Sequence, residues 1–292
     1  MTAVAVDNTG TATASPRLVA LTAAHLPQAL ALSQALQWPY RLEDWAFALA
    51  LGHGIAVEVE ERLVGTALWW PYGDSHASAG MIIVAPWAQR RGIGRMLMDE
   101  LLRQAGGRTI ILNSTLEGRS LYAQLGFVAY GAIHQHQAVL ASSPVAEAVS
   151  GTIRDFRADD HAAILALDRA ASGMARANLI DALFPIAAVR VVERQGTVRG
   201  YGCARQWGRG IVVGPLVAAD PEAARALAVD LMAPHVGYFV RIDVTAASGL
   251  TPWLLDLGLP KVGEVTSMVR GQPLPASDGV ATLFALSNQS LG

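Results

Sequence analysis

The sequence predicts a mixed α/β protein made of two similar units, and three observations lead there. Its 292 residues exceed a usual single domain and suit two units of roughly 150 residues. Short apolar strand candidates alternate with stretches whose apolar residues recur at helical spacing. After a Ser/Pro/Gly-containing stretch at residues 141–151, the pattern of the first half begins again.

Residues 1–15 carry no basic residue and no sustained apolar run, so they read as a flexible tail and not as a secretory signal. The leading unit spans 16–140. It opens with a strand candidate at Leu18 to Leu21 and a helix candidate near Leu26 to Leu36. Trp38-Pro39-Tyr40-Arg41-Leu42-Glu43-Asp44-Trp45 then joins two helix candidates. Trp69 and Trp70 are adjacent on a strand, so one faces the core and the other is a candidate pocket wall. A short apolar strand, Met81 to Val84, leads into Gln89-Arg90-Arg91-Gly92-Ile93-Gly94, followed by a helix with Ile93, Met96, Leu97 and Leu101 on one face. That order builds an anion site, because the amides of a Gly-rich turn and of a helix's first turn lack intrahelical partners and sit at the positive end of the dipole. Side chains at positions 92 and 94 would obstruct close approach to phosphate oxygens or forbid a left-handed turn. Taken alone such a loop is a weak signal, and the chain downstream of it strengthens the case. A second apolar strand, Thr109 to Leu112, is followed by Asn113-Ser114-Thr115, by Leu121 to Phe127, and by a strand at Ile133 to Val139 that puts His134 and His136 on one face.

The trailing unit is expected at 152–271, with 272–292 as a C-terminal tail. Ile153 to Phe156 and Ala162 to Ala170 match the first strand and helix, and His161 matches His25. An offset of 132 superposes Leu257-Gly258-Leu259 on Leu125-Gly126-Phe127 and Leu216 on Val84. The same offset puts Pro221, Ala224, Ala226 and Leu254 where Gln89, Gly92, Gly94 and Tyr122 stand. Asp220-Pro221-Glu222 reads as a capped helix start whose carboxylates would repel a diphosphate.

Hydrophobic residues make up 52% of the chain and charged ones 16%, which fits a packed globular protein and not a disordered one. A net charge of −2 lacks the broad basic field that nucleic acid or an anionic membrane demands, so the arginines near Gly92 mark a local site for a small anion. The single cysteine, Cys203, rules out an internal disulfide and fits a reducing, cytoplasmic setting. No apolar run reaches about 18 residues, so no spanning helix is expected.

The series Val84-x-Pro86-x-x-Gln89-x-x-Gly92-x-Gly94, then strand, then Leu121-Tyr122-x-x-Leu125-Gly126-Phe127 resembles the GCN5-related N-acetyltransferase (GNAT) superfamily, both signature motifs matching in order and spacing. The two-unit organisation resembles a tandem subset with an active first and a degenerate second domain. This resemblance implies, for each unit, a twisted mixed sheet with helices on both faces, and acetyl-CoA as co-substrate with no metal. It implies that Ile82, Ile83 and Val84 border the pantetheine arm, that Gln89, Arg90, Arg91, Gly92, Ile93, Gly94 and Arg95 hold the pyrophosphate, that Asn113 lies beside the cofactor, and that the Tyr122 hydroxyl lies near the departing sulfur as acid or sulfur-positioning group. Tyr122 also reads as an ordinary apolar-face aromatic.

The expected reaction is direct acetyl transfer in a ternary complex to a small-molecule amine, by a monomer or homodimer. An acyl-CoA sensor, a longer acyl donor or a hydroxyl acceptor remain open. A primary amine with pKa near 10 is neutral in about one molecule in a thousand at pH 7, roughly 4 kcal/mol that a base helps to supply. His136 is the candidate base, and equally a hydrogen-bonded structural histidine; His134 answers more to the structural description. Trp38, Tyr40 and Asp44, with His136, are candidate acceptor contacts through rings and charge, or else a helix boundary in which Asp44 caps.

Overall fold

The computed structural model describes residues 15–145, 149–272, 274 and 279–292. The expected N-terminal tail lies outside them except for residue 15. The leading half runs β1 (Arg17–Ala20), α1 (Leu26–Ala35), α2 (Leu42–Leu51), β2 (His53–Val59), β3 (Arg62–Tyr72), β4 (His76–Val84), α3 (Ile93–Ala105), β5 (Thr109–Ser114), α4 (Arg119–Gln124) and β6 (Val128–Val139). The trailing half repeats it as β7 (Thr152–Asp155), α5 (His161–Ser172), α6 (Ala177–Leu183), β8 (Ala188–Arg194), β9 (Thr197–Trp207), β10 (Gly210–Ala218), α7 (Pro221–Met232), β11 (Phe239–Thr245), α8 (Thr251–Asp256) and β12 (Lys261–Arg270), then adds β13 (Thr282–Ala285).

Local chemistry accounts for the repeat. β2 and β3 are joined by Glu60-Glu61, both at positive φ (51° and 61°), and β8 and β9 by Gln195-Gly196 (51° and 72°). Two left-handed residues in a row match the twist of the strands they join, so each half makes the same tight hairpin. In α3, Ile93, Leu97, Met98, Leu101 and Ala105 are buried at helical spacing and pack with Val57, Ala67 and Trp69 on one face of the sheet. Trp45 and Ala48 of α2 pack with Trp70 and Tyr72 on the other. Both adjacent tryptophans are thus core residues, and neither is a pocket wall. Trp69 donates its ring N–H to Gln104 (3.2 Å) and Trp70 to the Ala48 carbonyl (2.7 Å).

Among the described residues the strands form one sheet in the order β1-β2-β3-β4-β5-β12-β6-β11-β13-β10-β9-β8-β7. The halves have exchanged their closing strands. β12 pairs with β5, Met268 opposite Leu112, while β6 pairs with β11, His136 opposite Ile242. The expected tail at 272–292 is corrected here: β13 lies between β10 and β11, and Leu286, Ser287 and Leu291 beyond it are 5%, 0% and 1% exposed. Thr282-Leu283-Phe284-Ala285-Leu286 is a strand-like apolar run, the signal that could have revealed it. No helix among the described residues is long and apolar enough to cross a membrane.

The single offset of 132 also needs correction. Eight residues, 85–92, link β4 to α3, whereas two, 219–220, link β10 to α7. The phosphate-type loop is deleted from the second half, so Asp220 stands at the helix-cap position that Gly92 holds in the first.

Candidate active site in the leading half

β4 and β5 run parallel and pair from His76↔Thr109 to Ala79↔Leu112, after which they part. The parting coincides with a bulge. Met81 has φ 50°, the register against β3 slips between Thr66 and Leu68, and the Thr66 hydroxyl donates to the Met81 carbonyl (2.8 Å). A left-handed methionine is strained, and the surrounding pairs hold it there. Beyond the bulge the Ala85 amide donates to the Val64 carbonyl (2.8 Å). Alternation therefore turns the peptide groups of odd-numbered residues to β3 and those of Ile82 and Val84 into the open slot. Ile83 does not fit its expected role: its side chain is buried in the core on the α2 face and its peptide belongs to β3.

The slot runs into residues 89–94. Gln89 donates to the Val84 carbonyl (3.2 Å) and so fixes the loop to the strand end. Arg90 (φ 59°) and Gly92 (φ 80°) turn the chain into α3, whose start has no side-chain cap. Among the described residues no side chain caps its first amides. A Cβ on Gly94 would sit 3.3 Å from Leu121 Cδ2 and 3.8 Å from Val84 Cγ2, between the strand end and α4. Ile93 is buried and anchors the helix; Arg90 and Arg91 are exposed, and Arg95 is ion-paired with Asp99 (3.1 Å).

Tyr122, on α4, is 8% exposed, meets Phe127 edge-on at 5.9 Å, and has no hydrogen-bond partner for its hydroxyl among the described residues. Gly118 makes room for it, since a Cβ there would lie 2.9 Å from Tyr122 Cε2. Burial pushes the phenol up to about 12.

Three expected site residues are placed elsewhere or otherwise engaged. His136 is fully buried between the Leu259 carbonyl (2.8 Å to Nδ1) and the Thr251 hydroxyl (3.1 Å to Nε2). Strand exchange puts β12 between it and β5, so it belongs to the trailing half's packing and is not the base. His134 shares that face, bonded to Thr251 (2.8 Å) and facing Glu264 (3.3 Å). Asp44 is 1% exposed, caps α2 through the Arg41 amide (2.9 Å), pairs with the Arg41 guanidinium, and accepts from the Gly208 amide (2.8 Å). It has no free oxygen for an amine. Asn113 likewise spends its side chain on the Gln289 carbonyl (2.8 Å) and the Ser267 hydroxyl (2.7 Å).

Tyr40 does reach the site, through C-terminal residues that no motif or periodicity had placed there. Residues 286–292 form a buried turn against the bulge. Ser290 rests on Gly80, where a Cβ would come within 2.6 Å of it; Tyr72 donates to the Leu291 carbonyl, and the Tyr40 hydroxyl meets Ser290 Oγ at 3.3 Å. Trp38 stands behind Tyr40, edge-on at 6.2 Å.

The trailing half offers no equivalent. β13 fills the gap between β10 and β11, pairing Leu216 with Ala285 on one side and Val244 with Ala285 on the other. Asp220 caps α7 by accepting from the Ala223 amide (2.8 Å), and Arg194 bonds both Asp220 and Glu222. Cys203 is buried, its thiol pushed up to about 12 by burial, which leaves it unreactive. Among the described residues no group of three or more His, Cys, Asp or Glu is placed to hold a metal ion.

Comparison with known proteins finds one kind of domain in both halves. Residues 51–129 and residues 164–284 each match a family model described as an acetyltransferase (GNAT) domain. An uncharacterized N-acetyltransferase of Bacillus subtilis (strain 168), YitH, is 29% identical over 219 residues, 74% of this chain and 76% of that protein. Among solved structures, a Pyrococcus horikoshii protein provisionally assigned as an acetyltransferase superposes with a TM-score of 0.79 at 19% identity, covering 98% of this chain and 99% of that one. A tandem GNAT protein from the clavulanic acid biosynthesis pathway superposes at 0.60 and 16% identity, covering 90% and 100%. At such identities the structural likeness speaks for the fold. Family models on both halves, a like-sized N-acetyltransferase relative and a tandem neighbour together place the chain in the GCN5-related N-acetyltransferase superfamily, with two such domains in tandem.

Proposed function

We propose that the leading half binds acetyl-CoA in the slot beyond Ala79 and Leu112 and that the protein transfers the acetyl group to the amine of a small molecule. The contrast between the halves carries this reading. One slot is open and ends at uncapped amides, while the other is filled by β13 and ends at a capped, acidic helix start. The residues fit the co-substrate. The Ile82 peptide group and the Val84 amide face the slot and suit pairing with an extended amide-bearing arm as a neighbouring strand would, while the Val84 carbonyl is held by Gln89. The amides from Arg90 to Gly94, with the α3 dipole, suit a diphosphate.

Acetyl-CoA supplies the activated thioester. Tyr122 is the group on α4 suited to its sulfur, and magnitude decides between its two roles. A phenol near 12 is about 3.5 units weaker as an acid than an ordinary thiol, so complete proton transfer to a thiolate is uphill by roughly 5 kcal/mol. Tyr122 therefore acts by hydrogen bonding to the sulfur and positioning it. The proton that restores the thiol comes from the amine, which must lose one in any case.

Titration calorimetry tests the reading: one acetyl-CoA binds per chain, and replacing Gly92 and Gly94 together by Val removes that binding while the far-UV circular dichroism stays native. Gly92→Val alone carries a left-handed penalty of about 1–3 kcal/mol. Unchanged affinity in the double variant refutes the assignment; product mass over a panel of amines then identifies the acceptor.

A further inference from the structure

Ala79 and Leu112 are the last residues paired between β4 and β5, and the next residue on each strand is met by the same short turn. On β4 this is Gly80, where a Cβ would come within 2.6 Å of Ser290 Cβ and 2.8 Å of its Oγ, so the Ser290 side chain lies directly on the Gly80 backbone. On β5 it is Asn113, whose side-chain amide donates to the Gln289 carbonyl (2.8 Å). Gln289 and Ser290 therefore straddle the fork at which the two strands part.

The turn is fastened to several elements at once. Tyr72 of β3 donates to the Leu291 carbonyl, and Gln289 donates to Asp243 of β11 (3.2 Å) and to Gln135 of β6 (3.2 Å). Asn288 Oδ1 accepts from the amides of Ser290 (2.8 Å) and Leu291 (2.9 Å). Ser287, Asn288, Ser290 and Leu291 are buried. A turn with so many fixed partners does not swing away from the fork without breaking them.

Different layers close the two faces of the fork. Ala79 and Leu112 point to the α3 side, where they belong to one apolar cluster with Tyr122 and Phe127. Alternation sends Gly80 and Asn113 to the opposite side, and there the turn covers them. The apex of the slot is a blind end.

Direction along the slot decides which part of a ligand meets that end. The amides suited to a diphosphate lie past Val84, so an arm paired with Val84 and Ile82 points its far end back toward Gly80, four residues along β4 or about 13 Å from Val84. That far end carries the acyl thioester. An acetyl group stops at the apex, whereas a longer chain must displace Ser290 or the apolar cluster, and close-packed interiors make room for extra methylenes only at a cost.

Resting on the function proposed above, we infer that Ser290 closes the apex of the slot to acyl groups longer than acetyl and so sets the donor the protein accepts, with Tyr72 as a positioning residue that holds the turn from inside the core. Titration calorimetry with CoA, acetyl-CoA and butyryl-CoA tests this without an acceptor. The wild-type protein is expected to bind acetyl-CoA about as tightly as CoA, and butyryl-CoA about tenfold or more less tightly, the discrimination that added methylenes meet in a closed pocket. Ser290→Gly removes the Cβ and Oγ that lie on Gly80, and the ratio of the acetyl-CoA to the butyryl-CoA association constant should fall to about threefold or less as the methylenes find room. Tyr72→Phe loses the donor for the Leu291 carbonyl and should lower the same ratio by a smaller factor; it serves if Ser290→Gly does not fold. A turn with a merely structural role would lower the melting temperature of both variants and leave the ratio where it was, which overturns the inference, as does a wild type that binds the two acyl-CoAs equally. Either result leaves the slot reading standing, because CoA still binds. Failure of CoA itself to bind overturns both.

Discussion

Tyr122 is the residue on which the proposed chemistry depends most directly, because its phenol is mostly buried and its hydroxyl has no partner among the described residues. Tyr122→Phe keeps the ring packing against Phe127 and loses only the hydroxyl. A hydrogen bond to a charged group contributes about 1.5–3 kcal/mol, so kcat is expected to fall roughly 10- to 100-fold with KM for acetyl-CoA little changed. Steady-state thiol release measures it, and a wild-type kcat would remove Tyr122 from the mechanism. At this scale the sequence was legible where structure is local: the left-handed turn at Gly92 and the packing of Tyr122 on Phe127 are set by near neighbours. It was illegible where partners are distant. Alternation correctly put His134 and His136 on one face, but no local pattern says that Thr251 and Leu259 cover that face. Asp44 resolved in favour of capping for the same reason, since its second partner, the Gly208 amide, lies in the other half.

The two corresponding helix starts show how one fold carries opposite instructions. At α3 a long loop and a left-handed glycine leave the amides open; at α7 a two-residue link and Asp220 close them. Asp220→Ala is expected to lower the unfolding free energy by about 1 kcal/mol, the usual worth of an N-cap, read as a shift in the urea midpoint. It should not create a second acetyl-CoA site, because β13 still occupies the neighbouring slot. Two equivalents in calorimetry of that variant would mean that the cap, and not the inserted strand, keeps the cofactor out. The helices and inner strands were legible from periodicity, and the capped start of α7 from Asp220-Pro221-Glu222. The shortened link was not, because an alignment by constant offset hides a deletion that compensates elsewhere in the chain.

Taken whole, the protein is one sheet whose halves complete each other, since β5 finds its neighbour in β12 and β6 in β11. A leading half cut at residue 145 would expose the edge of β5 and the apolar face under Met268, so it is expected to be insoluble alone. Co-expression with residues 146–292 should restore a soluble pair that co-elutes in size exclusion; a folded, monomeric leading fragment would contradict this. Alkaline stability depends on buried phenols. Tyr72 and Tyr122 are both pushed up to about 12 by burial, above the ordinary value near 10. Below pH 10 both states keep these protons, whereas between about pH 10 and 12 only the unfolded chain releases them. Stability should therefore fall as pH rises through that window, by up to about 1.4 kcal/mol per pH unit for each tyrosine, measurable as a declining urea midpoint. The tandem organisation was legible in the repeated pattern, but strand exchange and the seating of Ser290 and Leu291 against Gly80 and Tyr72 depend on contacts between residues a hundred or more positions apart.

That exchange dictates an order of events while the chain is being made. The place beside β5 stays empty until Lys261–Arg270 has been translated, and the wall against Gly80 until Ser290 has. The ribosome therefore releases a leading half whose motifs are all present but whose proposed site is unfinished until residues 261–290 have followed.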